Sequence, residues 1–264
     1  MSQGFIKCGE FGNLEEIGTQ YFNELVCRSF FEHSSLHHDK KEDKFVMPKL
    51  FLDTVTSISK DICFRCADLV HNIPEKIRHW SLVPWNHRTV VALHRMTKQV
   101  RDLDVFMVVN RSELKNSSMS STFLKLEGLD DFLLKFQSLR SLKLSYTVIG
   151  QLPASIRNLK NLQCLAVNYN TDIKRLPSEL CLHENLQTLE ARDCPQLVTL
   201  PEIKNLAKPR HLDVRKQTGH VRMPIGVGHL MHLQSLPVLN IGEGLSDCSI
   251  QELRDLVICM EILP

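Results

Sequence analysis

Two landmarks recur along the second half of this chain with a single shared rhythm. The second Leu of an L-x-x-L-x-L block falls at Leu142, Leu165, Leu189, Leu212 and Leu236, at spacings of 23, 24, 23 and 24 residues. An apolar residue followed by Pro falls at Leu152-Pro153, Leu176-Pro177, Leu200-Pro201 and Met223-Pro224, at spacings of 24, 24 and 23. Two independent markers keep one period only if the chain is a row of similar units, each built and stacked in the same way.

The residues within one unit say how it folds. In Leu139-Arg140-Ser141-Leu142-Lys143-Leu144, the alternating pair Leu142 and Leu144 points inward from a short strand, while Ser141, Lys143 and Ser145 face out. The Leu-Pro step ends the strand-side geometry, because Pro fixes its backbone. Ile156 and Leu159, three apart, close the layer on the opposite side. Such a unit cannot bury its apolar face alone, so neighbours must stack. The period is that of leucine-rich repeats, and the expected fold is α/β: a leucine-rich-repeat solenoid with short parallel strands on its concave face. The composition agrees, at 43% hydrophobic but only 6% aromatic residues, so aliphatic side chains are expected to fill the interior. Asn170 and Cys194 occupy the position where this repeat prefers Asn or Cys, with Thr147 and Gln217 at the same place in the flanking copies.

Upstream the pattern loosens. Ile77-Arg-His-Trp80-Ser-Leu82 and Val100-Arg-Asp-Leu103-Asp-Val105 have the form of strand blocks, and residues 116–121 (Asn-Ser-Ser-Met-Ser-Ser) that of a surface loop. Before them, Leu14 to Val26 carries apolar residues at helical spacing. Arg28 to Glu32 and Lys44 to Met47 are expected to pair as two strands around a charged tip, with a second helix from about Leu50 to Val70. The resulting division is a small, mainly helical unit over residues 1–75 and a repeat domain over 76–264, regular from about residue 136.

This order of parts, LEEIGTQYFNELVCRSFF, a charged hairpin, FVMPKLFLDTVTSISKD, then IRHWSL and the Leu-Pro repeats, resembles plant nucleotide-binding leucine-rich-repeat disease-resistance proteins. The likeness is to the end of their winged-helix domain running into their repeats. It implies a protein-recognition or regulatory module of an innate immune receptor. The family's winged helix carries a Met-His-Asp motif whose His approaches nucleotide phosphates; the matching residues here are Met47, Pro48 and Lys49. No G-x-x-x-x-G-K-[ST] loop occurs in the chain. No nucleotide or other cofactor is therefore expected.

The remaining signals narrow the function by exclusion. A net charge of +2 is too small for a general nucleic-acid binder. Residues 1–75 hold 8 Lys/Arg and 12 Asp/Glu, whereas residues 76–264 hold 24 and 18. The halves thus have opposite sign and could dock on each other, or simply be solvated. The amino terminus lacks a secretory apolar stretch, the longest apolar run (Val105 to Val109) cannot span a membrane, and nine scattered cysteines read as reduced thiols. A cytoplasmic protein is expected. Cys63 and Cys66 have half the spacing of a zinc site without a second pair nearby, and read as two thiols on a helix. His37 and His38 read as solvated. With no G-x-S-x-G or H-E-x-x-H, no enzyme and no catalytic or metal site is expected.

What remains is a surface. Outward positions of successive strands line up as Ser141, Lys143 and Ser145, then Cys164, Ala166 and Asn168, then Thr188, Glu190 and Arg192, then His211, Asp213 and Arg215. Alternating charge along these rows suits a protein partner better than a phosphate backbone. The partner classes are a pathogen effector, a guarded host protein or the nucleotide-binding region of a receptor. The alternatives are a general repeat scaffold in signalling, or a non-functional remnant of a resistance gene. Apolar Leu253, Leu256, Val257, Met260 and Ile262 close the sequence without a polar cap, so that segment either folds back as a cap or marks a fragment.

Overall fold

The computed structural model describes residues 14–34, 45–66, 73–83, 90–93, 100–109, 125–215, 226–230 and 232–234. The Leu236, Met223-Pro224 and Gln217 landmarks, the 116–121 loop, His37, His38 and the apolar carboxyl end lie outside them.

Seven strands form one parallel sheet: β3 (Cys63–Cys66), β4 (His79–Leu82), β6 (Val105–Val108), β8 (Ser141–Lys143), β9 (Cys164–Ala166), β10 (Thr188–Glu190) and β11 (His211–Asp213), in spatial order β11-β10-β9-β8-β6-β4-β3. Apart from the small sheet interposed below, each strand lies beside its predecessor in sequence, as a solenoid requires. One register row runs through Phe64, Trp80, Phe106, Leu142, Leu165, Leu189 and Leu212. The expected alignment of Leu142, Leu165, Leu189 and Leu212 is thus met, with Leu236 outside the described residues. After β8 and β9 the chain turns through Pro153 and Pro177 into 3-10 segments, Ala154–Asn158 and Ser178–Leu182. Further 3-10 segments at Ile203–Asn205 and Val227–His229 continue the opposite side. Ile156 and Leu159 are fully buried there.

Between strand and turn sits a repeated backbone device. Tyr146, Tyr169 and Asp193 have φ of 58°, 59° and 50°, left-handed values at the same point of three successive repeats. Their N–H groups donate to the carbonyls of Asn168, Arg192 and Arg215 at 2.9, 2.8 and 2.7 Å. The inter-repeat ladder therefore extends past the strands, and this stabilises a conformation that L-residues otherwise avoid. The next residue in each copy is the inward one: Thr147, Asn170 and Cys194, all fully buried.

The interior changes character along the stack. The regular repeats are filled by Leu, Ile and Val as expected. The first repeats instead hold an aromatic chain, Phe64–Trp80–Phe106–Phe132–Phe136, with successive ring centroids 6.1, 5.9, 4.8 and 4.8 Å apart. Phe106 explains why the strand block placed at Val100 to Val105 is three residues late in the structure. The row is Leu103-x-x-Phe106-x-Val108, with the aromatic in the slot of the central Leu. A second small parallel sheet, β5 (Val90–Ala92) with β7 (Lys125–Glu127), and helix α3 (Leu129–Lys135) are additions that the sequence pattern did not announce.

In the amino-terminal part, α1 (Leu14–Cys27) and α2 (Lys49–Ser59) flank an antiparallel pair, β1 (Glu32–His33) with β2 (Phe45–Val46). The hairpin forms as expected but with a shorter first strand, because Ser29 at φ 59° and the Phe30 N–H to Leu25 carbonyl bond (2.9 Å) finish α1 first. Phe22 packs on Phe31 and Phe45, and Phe30 on Phe51. The second helix stops at Ser59 rather than reaching Val70. Cys63 and Cys66 lie on β3, not on a helix, since Phe64 gains Trp80 as an inward neighbour and pairing with β4 satisfies the backbone.

Candidate functional site

The repeat geometry brings the expected face together. Ser141, Cys164, Thr188 and His211 are register partners across β8 to β11, as are Lys143, Ala166, Glu190 and Asp213. Strand pairing spaces such neighbours about 4.8 Å apart, so these rows form a continuous strip.

Accessibility divides the strip unevenly. Ser141 is wholly buried, and Cys164, Ala166 and Asn168 nearly so. The expectation that Ser141 projects to a partner is therefore corrected. Its short side chain sits at the floor of the sheet between Val105 and Cys164, and burial pushes the Cys164 thiol pKa up. Ala166 is flanked in register by the longer Lys143 and Glu190. Lys143, Ser145, Thr188, Glu190, Arg192, His211 and Asp213 are half-buried, and Arg215 is exposed.

The charged residues are organised among themselves. Asn168 Nδ2 donates to Glu190 Oε2 at 2.8 Å, while Asn168 Oδ1 accepts from the Arg192 backbone N–H at 2.9 Å. Arg192 lies 3.5 Å from Glu190 and, through Nε, 2.8 Å from Asp213. Asp213 in turn holds Arg215 at 2.6 Å. Two carboxylates and two guanidiniums alternate, so the strip is locally neutral but densely polar. Such an array favours a partner of matched hydrogen-bonding pattern over one of uniform charge.

One further contact reaches this strip from outside the repeats. Glu15, in the first turn of α1, places Oε1 3.1 Å from Arg210 Nη1 and 3.6 Å from His211 Nε2. The opposite charge of the two halves is expressed at this point. Sequence reasoning did not single out Arg210, and periodicity offers no signal for it, since it precedes the strand.

At the other end, Arg78 grips Asp104 through Nε and Nη2 at 2.8 and 2.9 Å and reaches Asp102 through Nη1 at 2.7 Å. Ser138 donates to Asp102, and this bond, ahead of Arg78, holds the Asp102 carboxyl below its usual range. The cluster ties the repeats of β4, β6 and β8 together at the strand entry.

Met47, Pro48 and Lys49 lie where β2 passes into α2. Pro48 opens the helix at φ −54°, ψ 145°, and its carbonyl accepts the Leu52 N–H at 3.0 Å. A Pro has neither an N–H nor a side-chain donor to offer a phosphate, and Lys49 is exposed. These residues do not fit the His-to-phosphate contact that the resemblance implies. Among the described residues no group of three or more His, Cys, Asp or Glu could hold a metal, and no helix is long and apolar enough to cross a membrane.

Comparison with known proteins agrees with both parts of the chain. Residues 1–55 match the model of the disease resistance protein winged helix domain. A protein of Arabidopsis thaliana named as a disease resistance protein is 35% identical over 185 residues, covering 70% of this chain. The chain belongs to the plant disease-resistance protein family. A second A. thaliana relative, a disease resistance RPP13-like protein, is 29% identical over 192 residues, covering 72% of this chain. This family member spans 12% and 17% of the lengths of those two relatives. Among solved structures, the leucine-rich repeat domain of the type III effector XopL aligns over 97% of this chain and 95% of its own, at 13% identity and TM-score 0.42. The repeat fold itself stands on the seven-stranded parallel sheet.

Proposed function

We propose that this resistance-family chain is a non-catalytic protein-recognition module that engages a protein partner in the cytoplasm through the concave face of its repeats. The observation that carries the reading is the polar strip at the ends of β10 and β11: Glu190 and Asp213 are register partners, and Arg192 and Arg215, two residues beyond them, alternate with them in charge. Polar groups held in place lose little freedom on binding, and mismatched partners leave them unpaired. Lys143, Ser145, Thr188 and His211 extend the accessible surface, with Asn168 bracing it from below. The partner is a pathogen effector, a guarded host protein, or the nucleotide-binding region of a receptor.

The test is affinity capture from plant extract with three forms of the full chain, followed by binding of each captured protein in purified form. The reading expects partners held by the wild type and by Lys174→Glu, on the lateral side, to be lost by Glu190→Lys/Asp213→Lys. Equal retention by all three forms contradicts it.

A further inference from the structure

The Glu15 contact has an asymmetry that an ordinary surface ion pair lacks. Its cationic side is built into the sheet. The backbone N–H groups of Arg210 and His211 both donate to the Gln187 carbonyl, at 2.8 and 2.9 Å, and the Arg210 carbonyl accepts from Gln234 N–H at 2.7 Å. The two side chains thereby converge on one point from a fixed strand entry, Arg210 just before β11 and His211 at its first position. Its anionic side arrives on a loosely packed element. None of residues 15–27 of α1 is buried, and Tyr21 and Leu25 remain 54% and 38% exposed. Nevertheless Glu15 and Arg210 are largely withdrawn from water, with side-chain exposures of 20% and 24%, and His211 stands at 36%.

Neighbouring charges sharpen the picture. Glu190, Arg192, Asp213 and Arg215 pair with one another within the strip, whereas Arg210 and His211 converge on a carboxylate from outside it. Arg210 sets a guanidinium within ion-pair distance of Glu15 Oε1, and His211 Nε2, at 3.6 Å, stands beyond hydrogen-bond reach of the same oxygen. A guanidinium facing a carboxylate is a common means of recognising acidic side chains at interfaces. A receptor half fixed by backbone bonds, facing a carboxylate carried on a helix with no buried residue over 15–27, is the arrangement expected where occupants exchange.

We propose that Arg210 and His211 form a carboxylate subsite of the concave face: Glu15 of the same chain fills it in this conformation, and an acidic side chain of a protein partner replaces Glu15 when the face is engaged. The proposal rests on the concave-face reading and adds the chemistry of the partner and the identity of its intrachain competitor. A site partly filled from within shows an apparent affinity lowered by the fraction filled, so removing the occupant strengthens binding of any acidic competitor.

The experiment uses the full chain and a fluorescent, end-blocked peptide of residues 14–27 as probe, read by anisotropy at low salt. The Glu15→Gln chain is expected to bind the probe at least threefold more tightly than wild type. That gain should vanish when Arg210→Gln is added, and when the probe itself carries Glu15→Gln. Glu15→Ala is the second variant and should behave as Glu15→Gln does; thermal melts check that each chain is folded. Equal affinity of wild type and both Glu15 variants, or a gain that survives Arg210→Gln, overturns the proposal. Because the probe is a segment of this chain, the assay needs no partner. Its failure is separable from loss of the concave-face reading, which capture with Glu190→Lys/Asp213→Lys decides.

Discussion

Asn170 Nδ2 donates to the Leu144 carbonyl of the preceding repeat at 2.9 Å and to the Val167 carbonyl of its own repeat at 2.7 Å. Its Oδ1 meets the Thr147 hydroxyl at 2.7 Å. One buried amide thus closes two turns at once, at a point where water cannot substitute. Asn170→Ala removes the amide from both carbonyls, leaving Leu144 only the Thr147 hydroxyl (2.7 Å) and Val167 only the weaker Cys194 thiol. It is expected to cost about 1–3 kcal/mol, read as a lower urea midpoint with unchanged slope. Asn170→Cys should cost less, because Cys194 donates to the Val167 carbonyl at 3.1 Å from the equivalent position.

His183 occupies a position that is Leu159, Leu206 and Leu230 in the neighbouring copies, each following its 3-10 segment. It is 1% exposed, and burial lowers its pKa, with Lys160 acting in the same direction and the Leu159 and Ile156 backbone opposing. The folded protein therefore resists a proton that the unfolded chain accepts near pH 6.5. Stability should be full above pH 7 and decline as pH falls through about 6.5 toward the lower folded pKa. His183→Leu should raise the melting temperature at pH 7 and flatten its fall between pH 7 and pH 5.5. An unchanged pH dependence in His183→Leu would assign the effect to other groups.

Arg78 shows the opposite kind of group, a charge at the surface doing a geometric task. It is 41% exposed, so its pairing with Asp104 and Asp102 is screened. Arg78→Ala is expected to cost about 1 kcal/mol in a urea titration, and Arg78→Lys to recover little of it, because a point charge cannot replace the planar grip on Asp104.

Trp80 is fully buried between Phe64 and Phe106. Trp80→Ala should cost about 3–5 kcal/mol and loosen the first repeats, whereas Trp80→Leu, the residue of the regular row, should be milder. Both are read by chemical denaturation followed at a reporter in the first repeats.

These cases also separate what the sequence could reveal from what it could not. Leu142, Leu165, Leu189 and Leu212 were legible because identical residues repeat at a fixed period and each must face inward. The row continues through Phe106, Trp80 and Phe64, but there the residue type changes and the spacing is irregular, so periodicity alone sets the Val100 block three residues off and gives no strand signal for β3. The concave positions were legible by alternation alone. Their accessibility was not, since whether Ser141 projects or sinks depends on the length of its cross-strand neighbours. Arg210 and Glu15 meet only through tertiary folding, which no local pattern encodes.

Side-chain footprinting of the full chain, with and without a captured partner, decides whether the concave strip is the recognition surface. Carbodiimide labelling of Glu190 and Asp213 and arginine modification of Arg192 and Arg215 should fall on complex formation, while oxidation of exposed Leu182 and Val198, outside the concave strip, stays constant. Protection confined to Leu182 and Val198, with the strip as reactive as in the free chain, would contradict it.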